Sequence, residues 1–286
     1  MRIACIGEAM IELALQGDTA AVGVAGDTLN TAIYLHRSAP GLQVDYVTRL
    51  GDCSFSERIR TFIAAQGVGV SQVQMMPGRS PGLYAITTRN DGERSFSYWR
   101  ENAAARTLFE GNDFSVLDAY DALYLSGISL AILPHSVRLA LVDWLGQSNV
   151  QLIYDSNFRS RLWDDMENAR QITDAMWQRA DIALPSIDDE MALFEQTGPE
   201  VVARFARFEG IGALKRGEAG PISLGETVDQ FYPASKRVVD TTAAGDSFNG
   251  GYLGRILTGA SQAEALRAGH ELASKVVQYR GAIIPA

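Results

Sequence analysis

Short apolar runs of strand length alternate with segments of helix length through most of this chain, and that rhythm allows few architectures. Runs at Ile3–Gly7, Val44–Leu50, Ala122–Ser126, Gln151–Asp155, Ile182–Pro185 and Ala213–Lys215 read as strands. Segments Leu29–Arg37, Ser54–Ala65, His135–Leu145, Glu167–Arg179, Glu200–Phe208 and Ala263–Tyr279 read as helices. The alternation predicts an α/β fold, a doubly wound and mostly parallel sheet. A length of 286 residues with 47% hydrophobic content is enough for a substantial core. Gly82–Thr88 and Ser95–Trp99 break the rhythm, because both look like strands and the Arg89–Glu93 stretch between them carries Asp-Gly turn chemistry. They read as a hairpin outside the main sheet, an edge feature or a cover over a site. Neither an internal repeat nor a low-complexity linker is present.

Composition narrows the partners. A net charge of −9 without any run of Lys or Arg offers no footprint for nucleic acid. Cys5 and Cys53 are the only cysteines, too few for a disulfide framework and without zinc-ligand spacing, which fits a reducing cytoplasm. The start MRIACIGEAM lacks the apolar core of an export signal, and no stretch approaches the roughly 18 apolar residues of a spanning helix, so no membrane partner is expected.

Open parallel sheets bind ligands beyond the carboxyl ends of their strands. Those junctions here carry Glu8, Asp155 with Asn157 and Arg159, Ser186 with Glu190, Arg216 with Gly217, and Asp240 with Asp246. The sharpest signal is the string Asp240–Gly251, DTTAAGDSFNGG, between a strand-like Arg237–Val239 and a helix expected to run to about Leu257. Small residues let backbone N–H groups converge, and a helix beginning at Ala244 to Asp246 aims its positive end at an anion. Read alone, Asp246 is equally an acid that stabilises a helix start. No Walker G-x-x-x-x-G-K-[ST] occurs, because Lys215, Lys236 and Lys275 all lie in other settings. A nicotinamide-binding reading is poor, since no G-x-G-x-x-G follows the first strand.

The string closely resembles the D-T-x-G-A-G-D signature of the PfkB, or ribokinase-like, carbohydrate kinases. Ala243 stands where many members have glycine, which requires backbone angles that an L-residue tolerates. Gly26–Ala32 resembles the family's G-G-x-x-x-N-x-A signature, with Ala25 in place of its first glycine. The resemblance implies a three-layer α/β/α sandwich, one domain over 1–286, with a small β lid formed by about 9–20 and 80–102. It implies Asp246 as general base and the amides of Ala243, Ala244, Gly245 and Asp246 as an anion hole, with ATP as donor. That division suits phosphoryl transfer, which needs alignment and charge neutralisation. Gly26, Asp27 and Asn30 would bind sugar hydroxyls. Leu184–Glu190 resembles the N-x-x-E motif with Ser186 for Asn, which implies Glu190 on the magnesium side, acting through water. Lys215–Gly220 resembles the G-x-x-G loop, implying Lys215, Gly217 and Gly220 near the nucleotide, together with Asn157, Arg159, Ser186 and a His270 bordering adenine.

The stretches Gly82–Tyr84, Phe96–Ala105, Asp155–Trp163 and Val277–Pro285 look like the branch of the family that phosphorylates 2-keto-3-deoxygluconate. That substrate adds a carboxylate to a hydroxylated chain, and the planar fork of arginine suits a carboxylate, so Arg100 and Arg159 are expected on it. Tyr84 and Tyr98 would cover it from the hairpin, where period-two spacing puts Phe96, Tyr98 and Arg100 on one face. A fructokinase or a related sugar-acid kinase is the nearest alternative, and a non-catalytic sugar-binding protein the alternative from another class. The resemblance also implies a homo-oligomer, dimer or larger, paired through its lids, and allows a monovalent cation such as K+ near Asp240 and Thr242.

Overall fold

A computed structural model describes residues 1–88 and 94–285. The turn expected at Arg89–Glu93 lies outside them. The main sheet contains β1 (Arg2–Ile6), β4 (Gln43–Gly51), β5 (Val73–Met76), β8 (Ala122–Ser126), β9 (Gln151–Asp155), β10 (Ile182–Ala183), β11 (Ile211–Leu214) and β12 (Ile222–Leu224). Their order is β12-β11-β10-β9-β8-β1-β4-β5, parallel except for β11 against β12.

Alternation along the strands makes two cores. Ala4, Ile6, Leu123 and Leu152 face one side, packed with Leu141 and Leu145 of α4 (His135–Gln147), Ile172 and Met176 of α5 (Met166–Arg179) and Val201 of α7 (Gly198–Phe205). Ile3, Cys5, Tyr124 and Ile153 face the other, against Leu29 and Ile33 of α1 (Asp27–Ser38), Ile59 of α2 (Ser54–Ala65), Leu253 of α8 (Ala244–Ile256) and Leu266 of α9 (Gln262–Val276). Each large apolar side chain so buried stabilises by about 1.5–3 kcal/mol, which holds these helices more firmly than propensity alone. The result is the expected three-layer sandwich. Two short helices, α3 (Gly127–Ala131) and α6 (Ile187–Phe194), complete the set.

A second sheet stands apart, in the order β3-β2-β6-β7, from β2 (Met10–Gln16), β3 (Thr19–Ala25), β6 (Gly82–Thr88) and β7 (Arg94–Trp99). The boundary expected at residue 20 falls inside β3, whose Ala- and Gly-rich sequence gives little strand signal and which is fixed by pairing from Gln16↔Thr19 to Met10↔Ala25. Arg237–Val239, expected as a strand, is irregular. The amides of Val239 and Asp240 both donate to the Val277 carbonyl beyond α9, so they join no ladder.

Helix α8 is clamped between α1 and α9. A Cβ on Gly250 would lie 2.4 Å from Tyr34 Cβ, and one on Gly251 2.9 Å from the Ala268 carbonyl oxygen. These glycines let α8 approach closely enough to set its first turn beside α1.

Candidate active site

A cavity of about 1220 Å3 opens between the carboxyl ends of the main strands and the second sheet. Both sequence signatures meet in it. Asp246, in the first turn of α8, accepts from Asn30 Nδ2 at 2.8 Å, and its backbone carbonyl accepts from Thr31 Oγ1 at 3.3 Å. Burial pushes the Asp246 carboxyl up to about 7, and the charges of Asp27 and Asp155 add to the rise while the Asn30 bond and Lys215 oppose it. A carboxylate so poised can take a proton near neutral pH.

The head of α8 carries no capping side chain. Ala243 precedes it at φ 59°, ψ 19°, a left-handed conformation that alanine adopts at some cost and that glycine, usual in the signature, adopts freely. The Ala244 amide turns back to the Thr241 carbonyl at 3.2 Å, whereas Gly245 and Asp246 head the helix. Lys215 stands next to them. Its Nζ donates to Asp155 Oδ2 at 2.6 Å and to Asn249 Oδ1 at 3.1 Å, while Asn249 Nδ2 donates to Asp155 Oδ2 at 2.6 Å and to the Tyr124 hydroxyl at 3.0 Å. Asn249, one turn after Asp246 and fully buried, therefore ties the lysine to the helix that presents the carboxylate.

Around the opposite end, Asp27 Oδ2 accepts from Asn157 Nδ2 at 2.8 Å and from the Ser126 hydroxyl. Asn157 adopts φ 28° and, through Asp27, ties the loop after β9 to the head of α1. Phe96, Tyr98 and Arg100 all line the cavity, as the period-two spacing predicts, and Ser97 and Trp99 do not. Tyr84 stacks on Tyr98 with centroids 5.6 Å apart, and its hydroxyl gives its proton to Glu12, its partner on β2, which leaves the hydroxyl oxygen as an acceptor towards the cavity that Tyr84 lines. Arg100 pairs with Glu8, both buried. Arg159 is half exposed and leans on Asp189 at 3.5 Å.

Gly26, Ser186, Gly217 and His270 also line the cavity. His270 Nε2 lies 2.8 Å from the Pro233 carbonyl and pins the segment before Asp240 against α9. Two expected residues stand off it. Gly220, at φ 75°, faces Tyr232, where an added Cβ would come within 2.7 Å of the Tyr232 Cβ and 3.3 Å of its ring. Glu190 is 0% exposed and paired with Arg204 at 2.7 Å, with its carboxyl pushed up by burial and pulled back by that arginine. Asp189 lines the cavity in its place, its carboxyl pushed up mainly by burial. The spacing of N-x-x-E, counted from Ser186, ends on Asp189 and supplies the signal that pointed there. Asp155, Asn249 and Glu8 are the other site residues that motif reasoning left without a role.

Among the described residues no three His, Cys, Asp or Glu side chains are arranged to hold an ion. Magnesium at a nucleotide takes one or two protein carboxylates plus phosphates and waters, so Asp155 and Asp189, close enough for their charges to interact, fit that need. Among the described residues no helix is long and apolar enough to cross a membrane.

Known proteins are similar to this chain in sequence and in fold. A 2-dehydro-3-deoxygluconokinase from Escherichia coli is 42% identical over 300 residues, covering 99% of this chain and 97% of the relative. The crystal structure of a PfkB protein from Polaromonas sp. superposes with a TM-score of 0.80 at 26% identity, covering 97% of this chain and 95% of that one. A fructokinase with bound ATP from Xylella fastidiosa has the same fold, with a TM-score of 0.81 at 21% identity over 98% of this chain and 93% of its own. The family model for pfkB carbohydrate kinases matches residues 1–286, and with the two signatures meeting at Asp246 the chain belongs to that family.

Proposed function

We propose that this protein transfers the γ-phosphoryl group of ATP to the terminal hydroxyl of 2-keto-3-deoxygluconate, giving the 6-phosphate. One observation carries the reading. Asp246, raised to about 7, heads a helix between an end rich in sugar-binding groups and an end bearing Lys215 and uncapped amides. Asp246 takes the proton of the acceptor hydroxyl as oxygen attacks phosphorus, and Asn30 holds the carboxylate in line. The amides of Gly245 and Asp246, with Lys215, meet the charge that develops on the phosphoryl oxygens. Asp155 and Asp189 would hold magnesium through water, and the ion would neutralise the nucleotide phosphates. Gly26, Asp27 and Asn30 bind acceptor hydroxyls, Tyr98 and Phe96 cover them, and Arg100 and Arg159 face the carboxylate. Ser186, Gly217 and His270 border the nucleotide.

The exposed Trp99 and Leu15 on the second sheet support a dimer or larger homo-oligomer paired through that sheet, and the two free cysteines support a cytoplasmic setting. A fructokinase reading draws support from the Arg100–Glu8 pair, which leaves the lid side of the acceptor end near neutrality. An ATP-consumption assay across 2-keto-3-deoxygluconate, gluconate and fructose separates the two. The highest kcat/KM is expected on 2-keto-3-deoxygluconate, and a preference for fructose would overturn that assignment.

A further inference from the structure

Glu8 is the first polar residue after β1, 1% exposed, and forms part of the cavity wall. Its Oε2 takes a hydrogen bond from Arg100 Nη2, while its Oε1 is buried without a hydrogen-bond partner, as is Arg100 Nε. The fit is tight, since a Cβ on Gly82 would lie 2.3 Å from Glu8 Oε1. The charged groups that act on Glu8 are Arg100, Arg106 and Asp27. Arg100, 8% exposed, is therefore a wall cation whose counter-ion is built into the protein.

We infer that Glu8 sets specificity by cancelling part of the Arg100 charge, so that the acceptor end binds an anionic sugar more weakly than the arginine alone would. The inference rests on the reading above, in which Arg100 faces a substrate carboxylate. An unpaired buried guanidinium is costly, and a carboxylate close to an arginine lowers the field that the arginine presents to a second anion. Orientation is a separable role. A glutamine at position 8 keeps an oxygen acceptor for Nη2 and loses the charge, whereas an aspartate keeps the charge and withdraws the oxygen.

The test is calorimetric titration of the full-length protein with 2-keto-3-deoxygluconate in the absence of ATP, with the ligand-induced rise in Tm as a second measure. Glu8→Gln should bind about three- to tenfold more tightly than wild type, with a larger ligand-induced rise in Tm and a gain that shrinks as salt rises. Glu8→Asp should stay within about twofold of wild type. Unchanged or weaker binding by Glu8→Gln overturns the inference. So does a loss of about tenfold in Glu8→Asp, which would make orientation the role of Glu8 and which decides the matter even if Glu8→Gln does not fold. Arg100→Ala tests the underlying reading: wild-type affinity there refutes the carboxylate contact itself, whereas its loss beside an unresponsive Glu8→Gln refutes only the role given to Glu8.

Discussion

Asp246 is where local chemistry and global packing meet. Its carboxyl titrates near 7 because burial and two neighbouring acids disfavour the anion more than Asn30 and Lys215 favour it. A base must be deprotonated to act, so kcat/KM should fall by about tenfold per pH unit below 7 and level off above it, as a pH-rate profile would show. The same shift has the opposite effect on stability. The folded protein holds this proton more tightly than the unfolded chain does, so the group's contribution is fully present below pH 3.8 and is lost as pH rises through about 7. Asp246→Asn keeps the shape and the Asn30 contact but not the basicity. It should lower turnover by roughly two to four orders of magnitude with little change in ATP affinity, and near-normal turnover in a pure, folded variant would remove the residue from its role.

The short helix α6 shows how an element sorts neighbouring acids. Asp189 and Glu190 are adjacent, yet the helical turn sends one to the cavity and the other into a buried pair with Arg204 of α7. Different losses follow from removing each charge. Asp189→Asn should lower turnover and raise the magnesium concentration needed for half-maximal rate while leaving Tm near wild type. Glu190→Gln should instead cost roughly 1–3 kcal/mol of stability, read from denaturant unfolding, with an unchanged magnesium requirement, because it weakens a buried pair whose arginine is partly exposed. An exchange of the two outcomes would return the metal-side role to Glu190. Helix α8 makes the same point through its glycines: close contact with α1 puts Asn30 within 2.8 Å of Asp246 although 216 positions separate them.

For the whole molecule the second sheet is the distinctive part. Its inner aromatic face covers the cavity, and its outer face leaves Trp99 58% exposed. Pairing of two such sheets would bury that ring. Sedimentation should therefore report a dimer or larger species, and Trp99→Glu should shift it towards monomer at micromolar concentration; a monomeric wild type would refute the pairing.

How much of this was legible beforehand follows from the range of the forces involved. Ala122–Ser126, Gln151–Asp155 and Ser54–Ala65 fall where the apolar pattern places them, because burial on a sheet face or a helix stripe is written in local periodicity. The signatures at Gly26–Ala32 and Asp240–Gly251 named the helix heads that converge, since small residues there serve backbone geometry. Local sequence did not assign the partners of charged side chains. That Arg100 faces Glu8, that Tyr84 gives its hydroxyl to Glu12, that Lys215 is held by Asn249 and Asp155, and that Glu190 is enclosed with Arg204 depend on strand register and helix approach across the whole chain. The sequence by itself determined the layered fold and the two ends of the site, because backbone pattern is local; only the tertiary structure decided which charges are free to meet a ligand, because a charge is neutralised by whatever folding brings within a few ångströms.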